Sequence, residues 1–275
     1  MRVELSNVSK GRHDRALPRT SLAFETTRAT LACAETEQRP TVLGLIASGR
    51  MRPDAGDVAI DGRHDPAAIR RRVALIDAPE VCDPHPDVLT AGVVSEELMF
   101  AGRNPTPFAA RRWLAEHGMD GIASAPFGTI EPAQRVRILL ELAAQRQGVE
   151  GLVLVSPDRH GGEPDVWWRI AGEYAERGYG VLVIAGRASQ TALAASGALT
   201  PDASDAEPAR ESEPAPAPAP RPAPAPEPEP ALAPAPAPEA APVREVESVP
   251  EPDPEPESEP TPEPGDHAEE DGTDA

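Results

Sequence analysis

Leu152-Val153-Leu154-Val155 and Gly180-Val181-Leu182-Val183-Ile184-Ala185 are uninterrupted apolar runs, and Asp165–Arg177 between them carries a helical pattern. Apolar runs this short, without alternation, suit strands covered on both faces, and strand, helix and strand together predict a parallel βαβ unit. Working back towards the N-terminus, Pro132–Gln147 reads as a helix, with Val136, Leu139, Leu140 and Ala143 on one stripe and Gly148 after it. Val94–Phe100 and Pro107–His117 also have helical spacing, within a helical block from Val88 to Ser124. Arg72–Ile76 predicts a further buried strand. Pro40–Ser48 predicts a helix that begins on proline and stops at Gly49. The first sixty residues are β-rich, with strands expected at Arg2–Leu5, Ser21–Glu25, Arg28–Cys33 and Asp57–Ile60. The expected order is therefore an antiparallel β-rich start, then a parallel α/β core interrupted by a helical block.

Composition divides the chain in two. Of its 275 residues, 201–275 hold 22 of the 35 prolines and 21 acidic side chains against 3 arginines, so most of the net charge of −20 belongs there. Stretches such as PAPAPAPRPAPAPEPEP and PEPDPEPESEPTPEP offer little apolar bulk to offset ordering entropy, and proline fixes extended backbone. A disordered, polyproline II-like acidic spacer is expected over 196–275, and one globular domain over 1–195. No apolar run is long enough to span a membrane, and the opening MRVELSNVSKG lacks a secretory apolar segment, so a cytoplasmic protein is expected. A near-neutral head without a basic excess argues against nucleic acid. Two cysteines make neither a disulfide framework nor a zinc site. A single lysine, Lys10, against 25 arginines, with abundant alanine and proline, suggests a GC-rich bacterial genome.

Three phrases, in order, resemble the ATP-binding cassette (ABC transporter nucleotide-binding domain) family over about residues 1–190. Val3-Glu4-Leu5-Ser6-Asn7-Val8-Ser9-Lys10 is similar to the family's opening strand. Gly49-Arg50-Met51-Arg52-Pro53-Asp54-Ala55-Gly56-Asp57-Val58-Ala59-Ile60-Asp61-Gly62 is similar to the turn and strand after its first helix, and Gly128–Arg135 stands where its signature lies. The resemblance implies a P-loop NTPase-like α/β fold: an antiparallel β subdomain, a parallel α/β core and a helical subdomain.

The family's site chemistry does not carry over with the phrases. A phosphate loop reads G-x-x-x-x-G-K-[ST], so that backbone N–H groups converge on phosphate. The matching stretch here is Cys33-Ala34-Glu35-Thr36-Glu37-Gln38-Arg39-Pro40-Thr41, without glycine, with Arg39 in the lysine's place and two glutamates that would repel a triphosphate. The strand Leu152–Val155 is followed by Ser156-Pro157 in place of the magnesium-binding and water-polarising carboxylates, with Asp158 one step on. Ile130-Glu131-Pro132-Ala133-Gln134 keeps only Gln134 of the signature. Asp77-Ala78 stands at the family's glutamine, Ala185-Gly186-Arg187 at its histidine, and His160-Gly161-Gly162-Glu163 at its dimer-contacting loop. No counterpart of the adenine-stacking aromatic stands near Gly11-Arg12-His13. Arg39, Thr41, Gln134 and Asp158 are the remnants able to touch nucleotide, and no catalytic or metal-binding residue is expected. The six histidines show no metal-binding spacing, and Asp83-Pro84-His85-Pro86-Asp87 reads as a loop. Trp113, Trp167 and Trp168 fall on predicted helices, with at least one of the adjacent pair facing the core.

By resemblance, the expected function is that of a non-hydrolysing cassette, a regulatory or structural partner of a membrane-embedded transporter subunit or of a second cassette. It would need no cofactor and would sit in the cytoplasm or at the inner face of the membrane, with Val88–Ser124 as its docking face. The alternatives are a weakly active ATPase, using ATP and Mg²⁺ through Arg39, Thr41 and Asp158, and an interaction module unrelated to transport. Hydrolysis needs a phosphate cradle, a magnesium ligand and a positioned water together, which favours the first expectation.

Overall fold

The computed structural model describes residues 1–35 and 39–199. The acidic segment expected to be disordered lies, from residue 200 onward, outside the described residues. Two sheets form the frame. Strands β1 (Arg2–Lys10), β2 (Leu17–Glu25) and β4 (Ala55–Ile60) make an antiparallel sheet in the order β2-β1-β4. Strands β3 (Ala29–Cys33), β5 (Val73–Ile76), β6 (Gly151–Val155) and β7 (Gly180–Ala185) make an all-parallel sheet in the order β3-β7-β6-β5.

The parallel sheet explains the unbroken apolar runs, because it separates two hydrophobic cores. Leu152, Leu154, Val181 and Val183 face one core, while Val153, Val155, Leu182 and Ile184 face the other. The second core is closed by α1 (Arg39–Ala47) and the antiparallel sheet, through Leu43, Ile46, Val3, Leu5 and Phe24. The first is closed by α3 (Thr90–Phe100), α4 (Pro107–Glu116), α5 (Pro132–Ala144) and α6 (Pro164–Glu176). Val136, Leu139, Leu140 and Ala143 of α5 are all buried, as the stripe predicts. Trp113 and Trp167 lie in that core, while Trp168 is half-buried and donates from Nε1 to the Ala198 carbonyl at 3.0 Å.

Several expectations change. The segment expected as Arg28–Cys33 does not join the antiparallel start; Ala29–Cys33 pairs in parallel with β7 and is the edge of the core sheet. Two helices were not read from the sequence, α2 (Pro66–Arg72) and α7 (Arg187–Ala195). The former buries only Ile69 and the latter only Ser189 and Leu193, so neither presents a wide apolar stripe. Beyond the expected boundary at 195, Ala198 and Leu199 still pack against the core.

Candidate functional site

Parallel strands aim their C-terminal ends at one edge of a sheet, and in α/β folds that edge carries the ligand-binding turns. The turns here are Asp77-Ala78 after β5, Ser156–His160 after β6 and Gly186-Arg187 after β7, with Ala34 and Glu35 following β3; residues 36–38 lie outside the described residues. Asp77 and Ser156 both take left-handed backbone, at φ +56° and +49°, which turns the chain sharply off the sheet.

The four residues expected from the sequence fall at separate points of this edge. Arg39 opens α1 and is half-buried. Thr41, in the first turn, is buried and lines a cavity of about 500 Å³ with Met51, Pro79 and Glu80. Gln134 lies in the first turn of α5, where its N–H donates to the Glu131 carboxylate at 3.2 Å, an N-cap of that helix. Asp158 sits in the 3₁₀ turn Pro157–His160 and is committed to α7: its Oδ2 accepts from the Gly186 N–H at 2.8 Å and from Ser189 Oγ at 3.1 Å. Beside it, Glu35 Oε1 accepts from the Arg187 N–H at 2.6 Å. Two carboxylates thus cap the start of α7, where helix N–H groups favour negative charge. Their charge is felt by Cys33, whose thiol is pushed up by burial and then by Glu35 and Asp158, with Arg187 opposing. Replacing Asp158 by Ala is expected to cost about 1 kcal/mol, the usual loss of a cap, and to speed amide exchange in α7 before the rest of the protein.

The strongest constellation was not read from the sequence as a unit. Asp77 is 1% exposed and receives Arg135 Nη2 at 2.6 Å, Arg135 Nε at 3.2 Å, Arg159 Nη2 at 3.0 Å and His160 Nε2 at 3.0 Å, while its backbone carbonyl accepts from Arg159 Nη1 at 2.7 Å. Burial alone pushes the Asp77 carboxyl up, but hydrogen bonds from His160 and Arg135 and the charges of Arg135 and Arg159 outweigh it and hold it at about 2. Arg135 stacks over the Phe127 ring, 4.6 Å from its centroid, so one guanidinium ties α5 and the turn at Phe127 to the end of β5. One sequence signal pointed to this: Arg135 falls on the stripe of Ile138, Leu139 and Leu142, and a cation on a buried face demands an anion.

Asp77 also lines a cavity of about 440 Å³ between the parallel sheet and α3, together with Cys82, Glu97, Phe100 and Arg146. The exposed large hydrophobics among the described residues, Val81, Val88, Leu89, Met99, Phe100 and Phe108, all lie between positions 81 and 108. Among the described residues no cluster of His, Cys, Asp and Glu is disposed to hold a metal ion, and no helix is long and apolar enough to cross a membrane.

No known family pattern matches the chain, and no curated protein matches it in sequence. Solved structures do resemble it. A metal-chelate-type ABC transporter in an inward-facing conformation is 13% identical, with a TM-score of 0.50 over 69% of this chain and 74% of that one. A nucleotide-free ATP-binding cassette from an ABC transporter is 14% identical, with a TM-score of 0.46 over 71% and 85%. The cbiO1 protein of Clostridium perfringens, part of the ABC transporter complex cbiONQ, is 13% identical, with a TM-score of 0.47 over 67% and 77%. Identities this low speak to architecture, and with the antiparallel sheet, parallel core and helical block each in place, the fold of this chain is that of an ATP-binding cassette.

Proposed function

We propose that this chain is a cassette that does not hydrolyse ATP and acts as a regulatory or structural partner of a membrane-embedded transporter subunit or of a second cassette. The observation that carries the proposal is that the acidic groups at the C-terminal edge of the sheet are engaged by the protein itself. Asp158 and Glu35 cap α7, and Asp77 is held by Arg135, Arg159 and His160. A carboxylate already accepting donors from the protein is poorly placed to ligate magnesium, and Glu35 and Asp158 at this edge put like charge in the way of an incoming triphosphate. The one lysine, Lys10, is bound to Asp54 at 2.6 Å in the antiparallel sheet and does not serve this edge.

Docking is the work left to such a scaffold. The exposed apolar residues from Val81 to Phe108 support a partner surface on α3, the start of α4 and the segment before α3, beside a largely apolar cavity of about 650 Å³ lined by Val88, Leu89, Met99 and Pro105. The proposed location, at the inner face of the cell membrane through that partner, rests on the same surface and on the likeness in fold to a transporter.

Titration of the full chain with ATP, with and without Mg²⁺, tests the first part. A ligand at 100 times its Kd raises native stability by about 2.7 kcal/mol, so the expected result is no melting shift at millimolar MgATP and no turnover. Magnesium-dependent binding that Arg39→Ala removes would replace the proposal with a weakly active ATPase working through Arg39 and Thr41. Co-purification of a polytopic membrane protein with the wild type, lost in Leu89→Asp/Phe108→Asp, tests the second part. Retention of the membrane protein by that variant would refute the docking face.

A further inference from the structure

At the opposite end of β5, four arginines converge on a second, smaller pocket. Arg50 follows α1, Arg70 and Arg71 close α2, and Arg146 follows α5; with Phe100 and Gly102 they line a cavity of about 290 Å³. No carboxylate lines it among the described residues. The arginines are held largely by neutral acceptors. Arg50 Nη1 donates to the carbonyls of Ser48 at 3.0 Å and Val73 at 3.1 Å, and Arg70 Nη1 donates to the Gly49 carbonyl at 2.9 Å. Bonds to carbonyls fix a guanidinium without cancelling its charge.

Arg146 gives Nη2 to Glu97 at 2.6 Å, on the side of the neighbouring cavity, while its Nε is buried without a hydrogen-bond partner among the described residues. Its guanidinium also stands 5.4 Å from the centroid of the Phe100 ring. The Arg71 side chain is exposed and has no hydrogen bond or ion pair with a described residue. Consistent with accumulated positive charge, the Arg50 guanidinium is held below its usual range by burial first, with Arg146 and Arg70 adding repulsion and Cys82 opposing. Like charges gathered at fixed positions, one with an orphaned donor, cost stability unless an anion joins them.

We infer that this pocket is a binding site for a small phosphate-bearing anion. Planar guanidiniums match phosphate oxygens in pairs, and the cavity's size suits a phosphate or diphosphate group rather than a whole nucleotide. The same chemistry is offered by a free phosphate compound and by a lipid headgroup. The inference does not rest on the proposed function: the pocket opens at the N-terminal end of β5 beside Val73 and Ala74, and shares only Arg50, Phe100 and Arg146 with the cavity that Asp77 lines.

The test uses the full chain and the variant Arg70→Ala/Arg71→Ala, whose side chains leave the core untouched. Calorimetric titration with pyrophosphate at constant ionic strength forms one arm, and sedimentation with phosphatidylglycerol or phosphatidylcholine vesicles the other. Saturable pyrophosphate binding, weakened at least tenfold in the variant, is the expected result, and a free phosphate compound is then the source if vesicles do not bind. Sedimentation with phosphatidylglycerol only, relieved by pyrophosphate and lost in the variant, assigns the site to a lipid headgroup. Equal binding by wild type and variant, or no saturable binding of either probe, overturns the inference.

Discussion

Asp77→Ala is expected to destabilise the protein by about 3–5 kcal/mol, the range for removing one partner of a buried ion pair. The cost arises mainly from what is left behind. The Arg135 side chain is 4% exposed, and without Asp77 its charge remains buried with only the face of Phe127 beside it. For a folded body of this size each kcal/mol lowers Tm by about 2–4 °C, so a fall of about 10 °C is expected in a melting scan. Arg159→Ala and His160→Ala should each cost about 1 kcal/mol, because both side chains keep solvent contact, at 23% and 25% exposure. The pair should also be replaceable. Asp77→Leu/Arg135→Met removes both charges together and is expected to recover most of the loss, as apolar substitutes for buried pairs often do. A loss below about 1 kcal/mol in Asp77→Ala would mean that the network contributes geometry and little energy.

The same carboxylate sets an acid limit. Its folded-state pKa, at about 2, lies below the unfolded value of about 3.9. A depressed pKa contributes stability that is fully present above the unfolded value and is lost as pH falls through the folded one. The wild type should therefore lose on the order of 2 kcal/mol between about pH 4 and pH 2 from this group, and Asp77→Asn should lack that part of the slope.

What could be read from the sequence, and what could not, follows from where the interactions run. The βαβ unit was legible because strands between two cores must be apolar at every position, and Leu152–Val155 and Gly180–Ala185 are. The sheet to which β3 belongs was not, because Ala29–Cys33 is followed in sequence by α1 but bonded to β7, some 150 residues away. Helix α2 carried its own start signal, Asp65 capping Ala68 N–H with Pro66 at the first position, but it buries only Ile69 and so shows no apolar stripe to read. The turns of the site could be located by resemblance, and their individual residues could not be assigned partners. Asp77 meets Arg135 and His160 across separations of 58 and 83 residues, and no local pattern encodes such a meeting. The tail's composition was plain in sequence, but it falls outside the described residues.

The second large effect is expected at Gly56, where the first strand explains why its expected length was too short. In β1 the buried positions run Val3, Leu5 and then Val8, so the alternation slips by one at Ser6-Asn7. Both partners register the slip: the pairings with β2 and with β4 shift beyond Leu5 and Ser6, and Asn7 takes φ +49°. A bulge of this kind re-aims every later side chain, which is how Val8 reaches the core while Asn7 faces out, and it breaks the period that a sequence reading follows. Across from it, Gly56 at φ +79° lies so close that a Cβ would stand 2.4 Å from the carbonyl oxygens of Ser6 and Asn7. Those are backbone atoms of a paired strand and cannot swing aside. Gly56→Ala thus adds displacement of the bulge to the roughly 1–2 kcal/mol of left-handed backbone, and about 3 kcal/mol or more is expected in a denaturant titration. Gly62→Ala is the control, at φ +75° with nothing within 4 Å of the added carbon, and should cost only the conformational part, about 1 kcal/mol. Equal losses at the two positions would show that the backbone conformation alone, and not the close approach of β4 to the bulge, requires glycine at position 56.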